Sequence, residues 1–542
     1  MTLALVEVEK NIKNAVEQTN KVIIKIKSDF KKIEVNSEFK KAFDLIENQN
    51  KNVFITGKTG TGKSTFLSYF KQKTKKKTVF LAPTGVSALN IGGETIHSFF
   101  GFSPDITENK VEKISGWKEK LYRNIETIVI DEISMVRADL LDIIDIFLRK
   151  TLSSQIPFAG KQVVFIGDLY QLPPVVKNSQ RKIFKERYLS EYFSLDSDVF
   201  KKIEIEFIEL GKIYRQKDEI FIEILNRIRN NTITDNDIDI INQRVFDIKK
   251  IDEKYLIYLT PLNRTVKKIN DEKLNKLNKK IYEFNSKIRG NFNDIKELPA
   301  DNILLLSEGA QVMFLNNDSD KRWVNGTLGK VIGFDKKDGQ INVIVETENG
   351  DKVYVEPYTW KLFKYKYDDE TKEILTETVG EFIQIPLKLA WATTIHKSQG
   401  KTFEKVFIDL ETGTFAHGQA YVAFSRCRSF DGIFLKSPIS KKHIIMDRRI
   451  VNFLTSYRYR LSEKEIPYTQ KLKIIESAIK EKRKITITYL KPNDQKTTRE
   501  IIPLSIEEII FSGKKIEGLK AYCNLRKEER FFKIERIIEI KI

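Results

Sequence analysis

Residues 57–64 read GKTGTGKS, and their setting restricts the fold more than any other stretch of this chain. The run before them, NVFIT (52–56), is apolar and β-branched, and the run after, TFLSYFKQK, reads as a helix. A strand, a glycine-rich turn with inward backbone N–H groups and a helix N-terminus together cradle phosphate. Gly57, Thr59, Gly60, Thr61, Gly62, Lys63, Ser64 and Thr65 are therefore candidate nucleotide contacts. Lys63 supplies a point charge to the outer phosphates, and the Ser64 hydroxyl is placed for Mg²⁺. Such a loop belongs at the carboxyl end of a parallel strand.

The rest of the chain fits that requirement. Short β-branched runs recur at 79–82, 126–130 and 163–166, with helix-length stretches such as 136–150 between them. Strand–helix alternation predicts an α/β fold, a parallel sheet covered on both faces. The pattern returns at 256–260 and 405–410, giving two such domains, 36–220 and 221–455. From about 305 to 388 the runs become short and glycine-punctuated, which predicts a small antiparallel barrel, centred on 320–388, inserted in the second domain. Residues 1–35 read as a helical extension. Residues 456–470, around Pro467, read as a linker, and 471–542 as a separate β-rich unit.

Two further loops complete a nucleotide site. ETIVIDE (126–132) is a buried strand ending in two acids. Asp131 suits the Mg²⁺ shell and Glu132 suits orientation and deprotonation of water; the plainer reading is a pair of solvated loop acids. GDLYQLPPV (167–175) follows the strand VVFI, and Gln171 is a neutral amide able to reach a γ-phosphate without competing for metal. Arg215, in LGKIYRQ, and Arg426, in YVAFSRCR, are the candidate cations that meet phosphate between the two domains. Glu132, Lys63, Gln171, Arg215 and Arg426 form the expected catalytic set, with ATP and Mg²⁺ as cofactors.

Charge points to the partner. Against 75 Asp+Glu stand 94 Lys+Arg, a formal +19. A surplus of this size attracts polyanions, nucleic acid first, although lysine enrichment also follows base composition. The last segment, 456–542, is basic on its own, with 21 Lys+Arg and 13 Asp+Glu. Two cysteines exclude a disulfide framework. No signal-peptide pattern and no apolar stretch of membrane-spanning length is present, so the expectation is a cytoplasmic, nucleoid-associated protein with no membrane partner.

GKTGTGKST, APTGVSALNIGG, IDEISMV, GDLYQLPPV, YRQKD, LAWATTIHKSQGKTF and YVAFSRCRS occur in this order over 57–429. Together they resemble the PIF family of superfamily 1 DNA helicases, the 5′-to-3′ branch related to RecD. The resemblance implies two RecA-like domains, a wedge insertion at about 101–124 with Phe102 and Trp117, and an SH3-like inserted barrel. It adds Gly400 to the nucleotide contacts. It also implies DNA contacts at Thr84, Gly85, His97 and Phe99 in the first domain, and at Asn263, His396, Lys397 and Ser398 in the second. Hydroxyls, N–H groups and Lys suit phosphates, and His and Phe suit stacking on bases; a structural histidine is the alternative for His97. The family's adenine-reading Gln motif is replaced here, with Glu38 and Phe39 where Gln is expected.

The tail resembles a WYL domain through IIESAIKEKRKITITYL, REIIPL and GLKAYCNLRKEERFFKIERI, with Glu517, Gly518 and Leu519 at the name positions. Arg499, Arg530 and Arg536 match positions associated with ligand or nucleic acid; the open alternative is a basic surface that only braces the motor. The implied function is an ATP-dependent 5′-to-3′ DNA helicase in genome maintenance. It would act on single-stranded DNA, single-strand/duplex junctions and structures such as G-quadruplexes, and be monomeric off DNA. Two alternatives stay open: a translocase that does not unwind, and a nucleotide switch with a ligand-sensing tail.

Overall fold

The computed structural model describes residues 35–103, 106–174, 194–212, 218–294, 298–337, 340–410, 416–511 and 514–541. The extension expected at 1–35 falls, but for Val35, outside them.

The first α/β unit is a six-stranded sheet built from β1 (Val53–Gly57), β2 (Thr78–Ala82), β3 (Glu94–Thr95), β4 (Thr127–Ile130), β5 (Gln162–Ile166) and β6 (Glu206–Leu210). The order is β3-β2-β4-β5-β1-β6, and every pairing is parallel. Strands β1, β4 and β5 are buried at every position. That is why their sequences are continuous apolar runs rather than alternating ones. Because β4, β5 and β1 are neighbours, the loops that leave their carboxyl ends lie side by side. These are the acid pair, the Gln171 loop and the phosphate loop.

Helix α1 (Ser37–Glu47) is capped by the Asn36 side chain, which accepts the Phe39 N–H at 2.8 Å. It buries Phe39 edge-on against Phe66 of α2 (Lys63–Lys73), with ring centroids 5.4 Å apart. Helix α3 (Ala138–Leu152) covers the other face with Leu141, Ile144 and Leu148.

The second sheet has four parallel strands, β7 (Leu256–Thr260), β8 (Ala392–Thr394), β9 (Lys405–Ile408) and β10 (Ile433–Leu435), in the order β8-β7-β9-β10. Its inner residues join those of the first sheet in one apolar cluster.

Between β7 and β8 lies an all-antiparallel region that starts earlier than the glycine pattern suggests. Strands Ile281–Asn285 and Lys287–Gly290 already pair with Ile303–Ser307 and Ile374–Gln384. Their residues are mostly exposed or half-buried, so little hydrophobic periodicity betrays them. A five-stranded sheet over 311–389 forms the body. A long hairpin, Tyr358–Tyr367 with Ile374–Gln384, projects from it toward the first unit. There the Tyr365 hydroxyl accepts the Phe80 N–H at 3.0 Å, and the Tyr365 N–H donates to the buried Glu94 carboxylate.

The stretch read as a linker is mostly helix. Helix α4 (Arg448–Glu465) runs up to a break at Ile466 and Pro467, and α5 (Tyr468–Lys480) begins at once. Within 456–470 only Tyr457 and Ser462 of α4 are buried, so no apolar stripe marks the helix there. The terminal sheet has five antiparallel strands closed over α5, with Ile485, Ile487, Ile501, Leu519 and Phe532 in its core.

Candidate nucleotide cleft and nucleic-acid face

The phosphate loop needs its glycines. Gly60 and Gly62 have φ of 83° and 90°, a region open to glycine at no cost. At Gly57 a Cβ would stand 2.4 Å from Thr61 Oγ1 and 2.8 Å from the Leu210 carbonyl oxygen. Lys63 Nζ donates to the Gly57 and Lys58 carbonyls at 2.7 and 3.2 Å, which folds it along the loop. Burial lowers its pKa, and Asp168 and Glu132 oppose that shift.

The acids after β4 lie beside it. Glu132 occupies the left-handed region at φ 50°, an unfavourable conformation for a residue with a Cβ, and lines the cleft. Burial raises the pKa of both Glu132 and Asp131. A carboxylate held toward neutrality is a stronger base than a solvated one. Gln171 Nε2 donates to Thr59 Oγ1 and to Asp168, each at 3.3 Å.

From the second unit comes Arg426, among the largest fully buried side chains. Its Nε donates to the Val422 carbonyl at 2.9 Å, and Nη1 to those of Ser398 and Lys401 at 3.2 and 3.1 Å. Nη2 reaches across to Thr59 Oγ1 at 3.4 Å. Two uncharged side chains of the second unit also reach across. Thr59 N–H donates to the Tyr421 hydroxyl at 3.1 Å, and Gln399 Nε2 donates to Gln171 Oε1 at 2.8 Å and Glu132 Oε2 at 3.4 Å. The resulting cleft, of about 930 Å³, is lined by 59–65, Glu132, Gln171, Asp218, Gly400, Thr402, Glu404, Arg426, Arg428 and Ser429.

Of the residues singled out in the sequence, Thr59, Gly60, Thr61, Gly62, Lys63, Ser64, Thr65, Glu132, Gln171, Gly400 and Arg426 meet in this one cleft. Gly57 and Asp131 stand at its strand ends. Arg215 lies outside the described residues. Gln399 and Tyr421 were missed, although both sit inside quoted motifs. Uncharged side chains give no electrostatic reason to be picked out, and only the domain pairing shows where they point. Neither Glu38 nor Phe39 lines the cleft: Glu38 accepts the Gly211 N–H at 3.1 Å and Phe39 is core.

The DNA candidates divide. Thr84 caps the helix Gly85–Ile91, accepting the Ser87 N–H at 3.2 Å, and His97 is half-buried, with a pKa lowered by burial. Asn263 and Lys397 are exposed and His396 is half-buried. Three of the candidates are buried. Phe99 is a core residue packed edge-on against Phe100 and Tyr122, with no face left for a base. Ser398 is fully buried, its hydroxyl donating to the Ile395 carbonyl at 2.7 Å while its own carbonyl holds Arg426. Arg499 turns inward, toward Thr497 and Cys523. Arg530 stays exposed and Arg536 half-buried. In the expected wedge, Phe102 stacks on Phe100 in the core, whereas Trp117 is 54% exposed.

Residues 34–239 match the PIF1-like helicase family model and 470–542 the WYL domain model. An ATP-dependent DNA helicase Pif1 of Bdellovibrio bacteriovorus is 31% identical over 435 residues, covering 78% of this chain and 92% of that one. The chain belongs to the Pif1 helicase family. A crystal structure of Pif1 from Bacteroides in complex with ADP-AlF4 shares 39% identity and a TM-score of 0.72, over 79% of this chain and 97% of that one. Bacteroides Pif1 bound to ssDNA shares 40% identity over the same fractions, with a TM-score of 0.57. What these relatives leave uncovered is about a fifth of the chain, and the WYL match occupies the carboxyl-terminal part. Among the described residues no cluster of His, Cys, Asp and Glu suits a metal of its own, and no helix is long and apolar enough to cross a membrane.

Proposed function

We propose that this Pif1-family chain is an ATP-driven DNA helicase that moves 5′ to 3′ on single-stranded DNA and separates duplex or structured DNA. The observation that carries the reading is the cross-cleft set: Arg426, Gln399 and Tyr421 of the second unit all touch groups of the first that surround the phosphate site. A nucleotide placed there bridges both sheets, so its hydrolysis changes how they are held together.

In the proposed cycle, loop N–H groups and Lys63 hold the phosphates, and Glu132 orients and deprotonates the attacking water. Gln171 and Arg426 stabilise charge on the transferred group, with Arg215 as a second cation. Ser64 and Asp131 would hold Mg²⁺, which offsets phosphate charge when bound. Their donor set, one hydroxyl and one carboxylate beside phosphate oxygens, suits that ion.

DNA is assigned to Thr84, Gly85, His97, Asn263, His396 and Lys397, with Arg530 and Arg536 as outer contacts and Trp117 as the residue that meets the duplex. Displacing a base pair opposes roughly 1.4 kcal/mol of stacking per step. The working division is a motor of two RecA-like units, 36–220 and 221–455, an inserted β unit and a WYL-like tail. It is assigned to the cytoplasm, as a monomer off DNA, with G-quadruplexes among its substrates.

The test is ATP turnover with and without single-stranded DNA for wild type and Glu132→Gln, paired with strand separation on 5′-tailed and 3′-tailed duplexes. DNA-stimulated turnover lost in the variant, and unwinding of the 5′-tailed duplex alone, is the expected result. Turnover indifferent to DNA overturns the helicase reading, and stimulated turnover without strand separation leaves a translocase.

A further inference from the structure

The Gln171 loop is held from behind by the terminal domain. Tyr170, next to Gln171, is fully buried, and its hydroxyl donates to Asp494 Oδ2 at 2.6 Å. Asp494 is 324 residues away in sequence, at the tip of the hairpin between Ile485–Leu490 and Lys496–Phe511. It is 4% exposed and has φ of 61°. The other Asp494 oxygen is paired with Arg458 of α4. Arg458 also meets Glu209 of β6 at 2.7 Å, and Lys496 from the same hairpin meets Glu209 at 3.2 Å. Glu209 lies beside Thr56 in the sheet, one residue before the phosphate loop.

On the inner side of Tyr170 stands Arg229, its guanidinium 3.8 Å from the ring centroid and paired with Asp168 at 3.4 Å. Asp168 is fully buried; it accepts the Tyr170 N–H at 3.1 Å and the Gln171 side-chain amide at 3.3 Å. A chain of contacts thus runs from Asp494 through Tyr170, Arg229 and Asp168 to Gln171, and from there to Thr59 and Gln399. Every group in it is buried or half-buried. Misplacing one buried charged partner therefore disturbs its neighbours rather than being absorbed by water.

We infer that Asp494, Tyr170 and Arg229 are positioning residues for Gln171, so that the terminal domain forms part of the ATPase site. None of the three lines the cleft. They act by fixing the loop whose amide faces the phosphate. This inference rests on the proposed ATPase role of Gln171. An added domain that only gripped DNA would have no reason to bury an aspartate against the catalytic loop.

The experiment uses the full chain: DNA-stimulated ATP turnover of wild type, Tyr170→Phe, Asp494→Asn and the double variant, with Glu132→Gln as the control for the chemistry. Tyr170→Phe keeps the ring under Arg229. Asn tolerates the left-handed backbone at 494, and a melting curve checks that both fold. The expected result is kcat lowered about tenfold in each single variant, with KM for ATP and affinity for single-stranded DNA within about twofold of wild type. The double variant should be no slower than the worse single, because both cut one connection. Single variants with wild-type kcat overturn the inference, as does a loss confined to KM or a double variant about a hundredfold slower. Should Asp494→Asn fail to fold, the kcat of Tyr170→Phe decides alone. Wild type without DNA-stimulated turnover overturns the functional reading and this inference together; wild-type turnover with unaffected variants overturns the inference only.

Discussion

The two walls of the nucleotide cleft are built on different principles. The wall from the first sheet consists of loops leaving three adjacent strands, β4, β5 and β1. It works through backbone N–H groups, two carboxylates and positive-φ turns at Gly60, Gly62 and Glu132. The wall from the second sheet is made of side chains. Arg426 is pinned by three carbonyl oxygens, and Gln399 and Tyr421 reach over the gap. A wall of backbone is rigid and fixes where phosphate sits. A wall of side chains fixes how closely the other domain can approach. On the proposed reading, one wall binds phosphate and the other senses it.

The backbone wall is the less tolerant of the two. Gly57→Ala places a methyl group within 2.4 Å of Thr61 Oγ1 and 2.8 Å of a β6 carbonyl. The expected outcome is loss of nucleotide binding by at least about a hundredfold, measured by fluorescence titration with an ATP analogue. Retained affinity would show that the loop tolerates displacement.

Next in size is Arg426→Lys, which keeps the charge but loses the fork that four acceptors on the second unit hold in place. DNA-stimulated kcat should fall about thirtyfold or more while nucleotide affinity changes by about threefold or less. An equal fall in affinity would mean that this wall binds as well as senses.

Gln399→Ala removes an uncharged side chain that donates to Gln171 and Glu132. About a fivefold loss of DNA-stimulated kcat is expected, against an unchanged rate without DNA. Equal losses in both rates would place Gln399 in the chemistry rather than in the communication between walls.

A smaller effect is expected away from the cleft, where the inserted hairpin meets the first unit at Glu94. Burial raises the Glu94 carboxyl to about 7, against hydrogen bonds from the Tyr365 N–H and Ser98 and the pull of Lys364 and Lys118. The folded state then holds a proton that the unfolded chain releases. Its contribution is complete below the ordinary carboxylate range and is lost as pH rises toward 7. Glu94→Gln should raise the melting temperature by a few degrees at pH 8, about 2–4 °C, and by less at pH 5. A shift independent of pH would show that Glu94 does not titrate there.

How much of this was legible in the sequence follows the same division. The phosphate loop, Asp131, Glu132 and Gln171 each leave a strand within a few residues, so local pattern names them. Arg426 was found because a charge among apolar residues needs a reason. Gln399 and Tyr421 carry no such mark. Phe99, Ser398 and Arg499 show that burial, too, is hidden from local pattern. Each stands in a stretch that resembles a functional motif, yet folding turns each inward, as ring packing at Phe99 and the Ile395 carbonyl at Ser398 make plain.

The parallel sheets, the phosphate loop and the acids behind it are written locally, because glycine turns, buried strands and adjacent carboxylates are set by neighbours along the chain. Which residues meet across the cleft, and that Asp494 stands behind Tyr170, follows from how the folded units pack. Those contacts join residues hundreds of positions apart, and no local spacing encodes a distance between two surfaces that meet only after each has folded.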